Sequence, residues 1–457
     1  MELKGKIDLK QLKKFIDEGL VDTVIMAGID LQGRLYGKRL VAKTFYEHFQ
    51  GGIATCSCNY GWDMDLVLIP GMKFTGWHTG YGDMFAKPDY NTLRAYPWFE
   101  KTVIVLCDTC TEEGELIDIA PRSILRRQID KANKMGFTPY MASELEFHLY
   151  KENFDDARAK DYRDMEPLFR NYGDYSIFRT SMDEWILRIF RNGLGDAGID
   201  VESVKGEWGF GQVEIGVMYQ EALDMADWHV LVKQGIKEMS ALNGLTATFM
   251  AKPSTNDSGS GLHVHSSLWN RKTKKPLFWD KGKEHSMSDT MRHYLGGMMQ
   301  LSRDFQVFYA PFINSYKRYT YQSFAPYNIA WGGDNRTVTF RACGSGPACR
   351  IENRIPGADA NAYLALGATL ASGLYGIENK LEPVGDFCHG DAYELKDAPV
   401  FAMNLPDALR NFDNSEIARE ILGDDVVDHY VKLFAWECER YFREVTDWEK
   451  KKYFEMS

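Results

Sequence analysis

"PYMASELEFHLY", Pro139–Tyr150, has the character of a β-strand. Side chains two apart on a strand share a face, so Glu144 and Glu146 point one way and Leu145 and Phe147 the other. Three further stretches carry polar residues at the same spacing. Gln212 and Glu214 in "GQVEIG" alternate with Val213 and Ile215, and His263 and His265 in "GLHVHSSLW" alternate with Leu262 and Val264. "CRIENRIP" presents Arg350, Glu352 and Arg354. The pattern predicts strands with one core face and one ionisable face.

A single pair of this kind reads most simply as a solvated strand face. Four together read differently, because a solvated face tends toward Thr, Lys and Ser. Two carboxylates about 6 Å apart repel by about 3 kcal/mol at an effective dielectric of roughly 20, and no local Lys is evident to offset this. A divalent cation is the simplest compensation. Glu oxygens dominate the donor set, with one or two His and no obvious thiol, which suits Mg²⁺ or Mn²⁺. Several carboxylates point to two ions, the arrangement that clamps a transferring phosphoryl group. Arg318, Arg336, Arg341, Arg350 and Arg354 follow in one part of the chain, and Arg grips phosphate and carboxylate bidentately. Phosphoryl transfer rests mostly on positioning and charge neutralisation, which metals and arginines supply. There is no Walker A motif, and "GSGLH" is too short to stand for one.

Outward from these strands, "RSILRRQIDKANKMG" follows Pro121 at a helix start. "SMDEWILRIFRNGLGDAG" and "EALDMADWHVLVKQGIKEMSALNG" have helical period and end in Gly. "TVTFRA" is strand-like, and "ADANAYLALGATLASGLYGIEN" is an Ala- and Leu-rich helix. Strands and helices in irregular alternation predict an α+β fold with a mainly antiparallel sheet. Before Pro121 lies a smaller unit. It has a helix at Leu9–Gly19 and strands in "TVIMAGID", "LYGKRLVA", "DLVLIP" and "TVIVLCD", with Phe74–Pro97 expected as loop. The division falls at 1–112 and 113–457.

The chain of 457 residues is 44% apolar and 26% charged, ordinary for a globular protein. Its net charge of −11 repels phosphate backbones, which excludes bulk nucleic-acid binding. No apolar run approaches the roughly 20 residues that span a bilayer. "MELKGKIDLKQLKKFIDEGL" lacks the core and cleavage site of a signal peptide, so a cytoplasmic location is expected. Cys56, Cys58, Cys107 and Cys110 could in principle form a four-thiolate zinc site. The strand-like "KTVIVLC" instead favours Cys107 as a small buried hydrophobe.

The motifs "SELEF", "GEWGFGQVEI", "TATFMAKP", "SGSGLHVHSSLW", "NSYKR", "DNRTVTFR" and "RIENRIPGADANAYLALGATLASG" together resemble the glutamine synthetase family, as do "DMDLVLIP" and "APRSIL" nearer the N-terminus. The resemblance implies an N-terminal β-grasp domain and a C-terminal catalytic domain. It also implies rings of subunits stacked in pairs, a dodecamer or a decamer, with active sites between neighbours. Carried over by position, it places one metal on Glu146, Glu207 and Glu214 and another on Glu144, His263 and Glu352. Two to three Mg²⁺ or Mn²⁺ ions per site are implied. ATP falls on His265, Ser267, Arg336, Arg341 and Arg350. L-glutamate falls on Gly259, Arg318 and Arg354, with Ser258 where ammonia users commonly have Asn. The implied reaction phosphorylates the glutamate γ-carboxylate and then joins it to a nitrogen nucleophile, with Arg336 stabilising the phosphoryl transfer and Glu146 and Arg318 at the reacting centre.

One stretch departs from the family's ammonia users. In "YKRYTYQSFAP", Tyr316–Pro326, they carry a proton-accepting Glu immediately before Ala-Pro; here that residue is Phe324. Their N-terminal Asp has no counterpart in "ATCSCNYGWDMD", although Asp63 is nearby. A ring makes a dry wall that covers alkyl or aryl carbon and attracts a cation through its face. The resemblance is therefore to the branch that joins glutamate to primary amines. An ammonia-using enzyme with a different ammonium site and a non-catalytic assembly homologue are the alternatives.

Overall fold

The computed structural model of the chain describes residues 3–457. Two sheets organise it. The first contains β1 (Thr23–Ile29), β2 (Leu35–Val41), β3 (Ile53–Cys56), β4 (Asp83–Pro88), β5 (Arg94–Ala95) and β6 (Thr102–Cys110). Their order is β2-β1-β6-β4-β3, with β5 also on β6. β1 and β6 run parallel at the centre and the other pairs are antiparallel. The Leu9–Asp17 helix is opened by a reciprocal cap between Asp8 and Gln11. It and the Ala42–His48 helix cover one face of this sheet, where Leu12, Phe15, Phe45, Val103 and Val105 form a small core. Ile104 and Leu106, on the opposite face of β6, join the main core instead.

The second sheet contains β7 (Phe137–Tyr150), β8 (Val201–Gly206), β9 (Gln212–Val217), β10 (Gln220–Glu221), β11 (Thr246–Thr248), β12 (Leu262–Asn270), β13 (Trp331–Gly333), β14 (Phe340–Cys343) and β15 (Arg350–Asn353). The path is β13-β14-β15-β12-β7-β9-β8, and only β13 and β14 pair in parallel. The expected α+β class with a mainly antiparallel sheet is what the chain adopts. Behind the sheet lie the Pro121–Lys134, Ala222–Leu242 and Ala362–Asn379 helices. The last of these is buried along nearly its whole length, which accounts for its lack of a polar face. Buried Arg122, in the first turn of the Pro121–Lys134 helix, joins the two parts of the molecule. It donates to Asp227 at 3.0 and 2.8 Å, to Asp89 at 2.8 Å, and to Asp108.

Several local expectations change. Phe74–Pro97 is not all loop, because β4 and β5 lie within it; Met84, Ala86 and Pro88 alternate inward along β4. "DLVLIP" is not a strand. The Asp63 carboxylate accepts the amides of Asp65 and Val67, both at 2.9 Å, and Leu66 takes a left-handed φ of 62°. "SMDEWILRIFRNGLGDAG" spans the end of one helix, Ile177–Met182, and a second, Glu184–Asp196. In "TVTFRA" the strand begins only at Phe340. Cys107 and Cys110 are buried on β6, and among the described residues no cluster of potential metal ligands includes them, Cys56 or Cys58.

Candidate active site

Register brings the four polar pairs together. Glu144 on β7 stands opposite His263 on β12, and Glu146 opposite Glu214 on β9. His265 stands opposite Glu352 on β15, and Glu352 opposite Arg341 on β14. The intervening Leu145, Phe147, Val213, Ile215, Leu262 and Val264 are all buried in the core. Period-2 alternation thus turns every ionisable side chain onto one face, above a cavity of about 610 Å³.

The ligand atoms of Glu144, His263 and Glu352 lie within 4.8 Å of one another, and so do those of Glu146, Glu214 and His263. The first trio coincides with one expected metal set. In the second, His263 takes the place expected of Glu207, which lines the cavity but forms an ion pair with Lys205. Lys205 is also 3.9 Å from Glu214 and 3.4 Å from Asp174. The carboxylates therefore do have a local Lys, one that sequence reading missed. "VKGE" places it near the end of β8, two residues before Glu207, which was the available cue. A further trio, His265, Cys343 and Glu352, includes a buried thiol that was also not anticipated.

The charges are unevenly balanced. Burial pushes the Glu146 carboxyl up to about 7, and the neighbouring Glu207 charge adds to this. Burial and the charge of Glu144 push Glu214 up to about 9. Burial acts the same way on Glu144, but hydrogen bonds from His263 and His265 overcome it and hold Glu144 well below the usual carboxylate range. His263 Nδ1 is 3.4 Å from Glu144 and 3.6 Å from Glu352, while burial and Arg354 lower its pKa to about 4. Neutral imidazole and hard oxygens are the donor set that a divalent cation takes. A +2 charge would also relieve the repulsion that raises Glu146 and Glu214. The residues fit such an ion.

Glu352 is fully buried between two arginines. Arg341 donates to Oε2 at 2.7 Å and Arg354 to Oε1. Arg354 also donates to the Phe324 carbonyl at 3.2 Å. Arg318 is buried and donates to the carbonyls of Ile355 at 3.1 Å and Arg354 at 3.2 Å, with its side chain along the cavity wall. Gly259 makes room for it: a Cβ there would come within 2.9 Å of Arg318 Cγ and 2.7 Å of the Ala251 carbonyl. Ser258 lines the cavity beside Gly259, and Arg336 lies exposed at its rim.

Three expected nucleotide contacts stand away from the cavity lining. His265, Ser267 and Arg350 continue the same strip of β12 and β15 beyond Glu144. Arg350 Nε lies 3.1 Å from His265 Nδ1, and His265 Nε2 lies 2.9 Å from Glu144. Across the cavity are groups without a sequence expectation. Tyr172 stacks on Phe210 at 5.4 Å and packs against Trp208 at 5.5 Å, and Lys205 sits 4.5 Å above the Tyr175 ring. Lys252 and Asp257 line the wall, with the Lys252 ammonium donating to the Asp257 carbonyl.

Phe324 lines the cavity with its side chain largely exposed, at 60%. Its φ of 59° and the 54° of Gln322 place two non-glycine residues of this loop in the left-handed region. Tertiary contacts hold the conformation. Tyr321 donates to Glu394, Tyr393 donates to the Ala325 carbonyl at 2.7 Å, and the Tyr321 and Tyr393 rings meet edge-on at 5.5 Å. Asp63, the nearest candidate for the missing N-terminal carboxylate, is buried and committed elsewhere. It accepts from Trp436 Nε1 at 2.9 Å and Arg440 at 2.7 Å, besides its two backbone amides.

Comparison with known proteins agrees with this geometry. Residues 118–453 match the model of the glutamine synthetase catalytic domain. A glutamate–isopropylamine ligase of a Pseudomonas species is 40% identical over 460 residues, covering 100% of both chains. The gamma-glutamylethanolamide synthetase GlnA4 of Streptomyces coelicolor is 39% identical over 98% of this chain and 96% of its own. The solved structure of apo GmaS superposes with a TM-score of 0.85 at 26% identity, covering 98% of this chain and 99% of that one. Strand register, clustered carboxylates and full-length similarity converge on one conclusion: the chain belongs to the glutamine synthetase family.

Proposed function

We propose that this protein is an ATP-dependent ligase that activates the γ-carboxylate of L-glutamate as an acyl phosphate and couples it to a primary amine. The products are a γ-glutamylamide, ADP and phosphate. The observation that carries this reading is Phe324, a ring facing the cavity where an ammonia user needs a base. The commitment of Asp63 to Trp436 and Arg440 supports it, since that carboxylate is not free to replace the missing one. The relatives named for isopropylamine and ethanolamide chemistry point the same way.

In this reading Glu144, His263 and Glu352 hold one divalent ion and Glu146, Glu207 and Glu214 another, Mg²⁺ or Mn²⁺. The ions neutralise charge on the transferring phosphoryl group when bound. Arg336, Arg341 and Arg350, with His265 and Ser267, serve the nucleotide. Arg318, Arg354, Gly259 and Ser258 hold glutamate, and Arg336 stabilises the phosphoryl transfer. Phe324 excludes water from the attacking amine and covers its carbon. Domains 1–112 and 113–457, stacked rings with sites between subunits, and a cytoplasmic location complete the proposal. Among the described residues no helix is long and apolar enough to cross a membrane.

The test is phosphate release from ATP with glutamate, Mg²⁺ and a panel of primary amines beside ammonia. Faster turnover with an alkylamine or ethanolamine than with ammonia is expected. Robust turnover with ammonia alone would overturn the reading.

A further inference from the structure

A second cavity, of about 460 Å³, lies between the β1–β2 turn and the Ala222–Leu242 helix. Its size is that of a small-molecule pocket, and Phe249, Met250 and Ile313 give it an apolar floor. Four cations line it: Arg34, Lys233, Lys237 and Lys317. Arg34 is paired with Asp30 at 2.7 Å. The Lys233 ammonium donates to the Ala358 carbonyl at 2.7 Å and lies 5.3 Å above the Phe249 ring. Lys237 and Lys317 form no ion pair among the described residues.

The two acids in the lining, Asp359 and Glu437, offset this charge only in part, Asp359 acting on Lys233. Asp359 accepts a hydrogen bond from Ser315 at 2.7 Å, while its other oxygen is buried without a partner. Burial raises the pKa of both Asp359 and Glu437, while the charge of Lys233 pulls Asp359 back down. Burial lowers Lys233 to about 8, with the charge of Lys237 adding to the effect, and burial and Arg34 lower Lys237 as well. Lys237 and Lys317 line the cavity with no acid among the described residues paired to either, and a bound anion would supply that counter-charge.

The cavity shares a wall with the catalytic one. Lys252 N donates to Asn314 Oδ1 and Asn314 Nδ2 donates to the Lys252 carbonyl, both at 2.9 Å. Asn314 lines the second cavity and Lys252 the first. Lys317 likewise lines the second and its neighbour Arg318 the first. We propose that this second cavity binds a small dianion, a dicarboxylate or a phosphate, and that its occupancy alters the hold on glutamate through the Asn314–Lys252 pair and the Lys317–Arg318 step. Only the second half of this proposal rests on the ligase reading.

Calorimetric titration of the full-length protein with succinate, and separately with inorganic phosphate, tests it. ATP and glutamate are left out. Saturable binding of at least one anion is expected, and preference between the two identifies carboxylate or phosphate as the group recognised. The double substitution Lys237→Gln/Lys317→Gln should weaken binding about tenfold or more by removing two charge-assisted contacts. Arg336→Gln, at the rim of the catalytic cavity, should weaken binding less than the double variant does. Absence of binding by both anions overturns the proposal, and so does a loss with Arg336→Gln as large as that with the double variant. A bound anion should also shift the KM for glutamate by about fivefold, a typical coupling between sites, and the double variant should abolish that shift. Intact binding with an unmoved KM would overturn the coupling. Calorimetry needs no turnover, so failure of every amine as substrate would refute the ligase reading while leaving the anion site standing.

Discussion

The two ends of the catalytic cavity are built in opposite ways. At one end, Glu144, Glu146, Glu214, His263 and Glu352 project from paired strands whose other faces are core. Their positions follow from strand register, so each can move only if the sheet does. At the other end Phe324 sits on a loop with two left-handed residues, held by a few tyrosine contacts. The charged end suits chemistry shared across a family. The loop end can be changed one residue at a time without disturbing the sheet. Differences in nitrogen donor are therefore expected to arise at the loop.

Substitution should separate the two ends by size of effect. Glu352→Ala is the most severe. It leaves Arg341 and Arg354 buried without their shared counter-charge, which costs about 3–5 kcal/mol of stability in denaturant unfolding. Activity should be lost as well. A variant as stable as the parent would show that the arginines find other partners.

Next is the response of the charged end to pH. Because the Glu146 carboxyl is raised from 4.5 to about 7, the native state holds a proton that the unfolded state has released. The stability of chelator-treated protein should therefore fall as pH rises from about 4.5 toward 7. Added Mg²⁺ should stabilise the protein more at the upper end of that window, since it binds the ionised form. A flat profile in thermal unfolding with and without Mg²⁺ would remove Glu146 from the ion's surroundings.

At the loop end effects should be smaller and selective. Phe324→Glu is expected to lower kcat/KM for an alkylamine by up to about 30-fold, the upper range of a lost ring–cation contact, and to raise use of ammonia. Unchanged selectivity would mean that the ring does not face the amine. Tyr321→Phe removes only the exposed hydrogen bond to Glu394. It should cost about 1 kcal/mol or less of loop order and change kcat/KM less than tenfold. A larger effect would show that the loop is as finely held as the strands.

Much of the charged end was legible in the sequence because alternation along a strand is a local property. "SELEF", "GQVEI", "LHVHS" and "RIENR" each state which side chains share a face. Lys205 escaped notice because two of its partners, Asp174 and Glu214, lie on other segments of the chain, although Glu207 stands only two residues away. β4 was hidden in a run rich in Gly, Trp and Tyr, where strand formation depends on pairing with β3 and β6 rather than on propensity. "DLVLIP" looked apolar enough for a strand, but the side chain of Asp63 claimed its amides for a turn.

By itself the sequence determined the α+β class, the faces of the strands, and the presence of a ring where a base would stand. The first two follow from period and composition, the third from the resemblance to the glutamine synthetase family. Tertiary structure decided which faces meet, that His263 belongs to both groups of potential metal ligands, that Glu207 pairs with Lys205, and that Asp63 is spent on the Asp424–Arg443 helix. Those outcomes depend on contacts between residues far apart in the chain, and no local pattern encodes the distance between them.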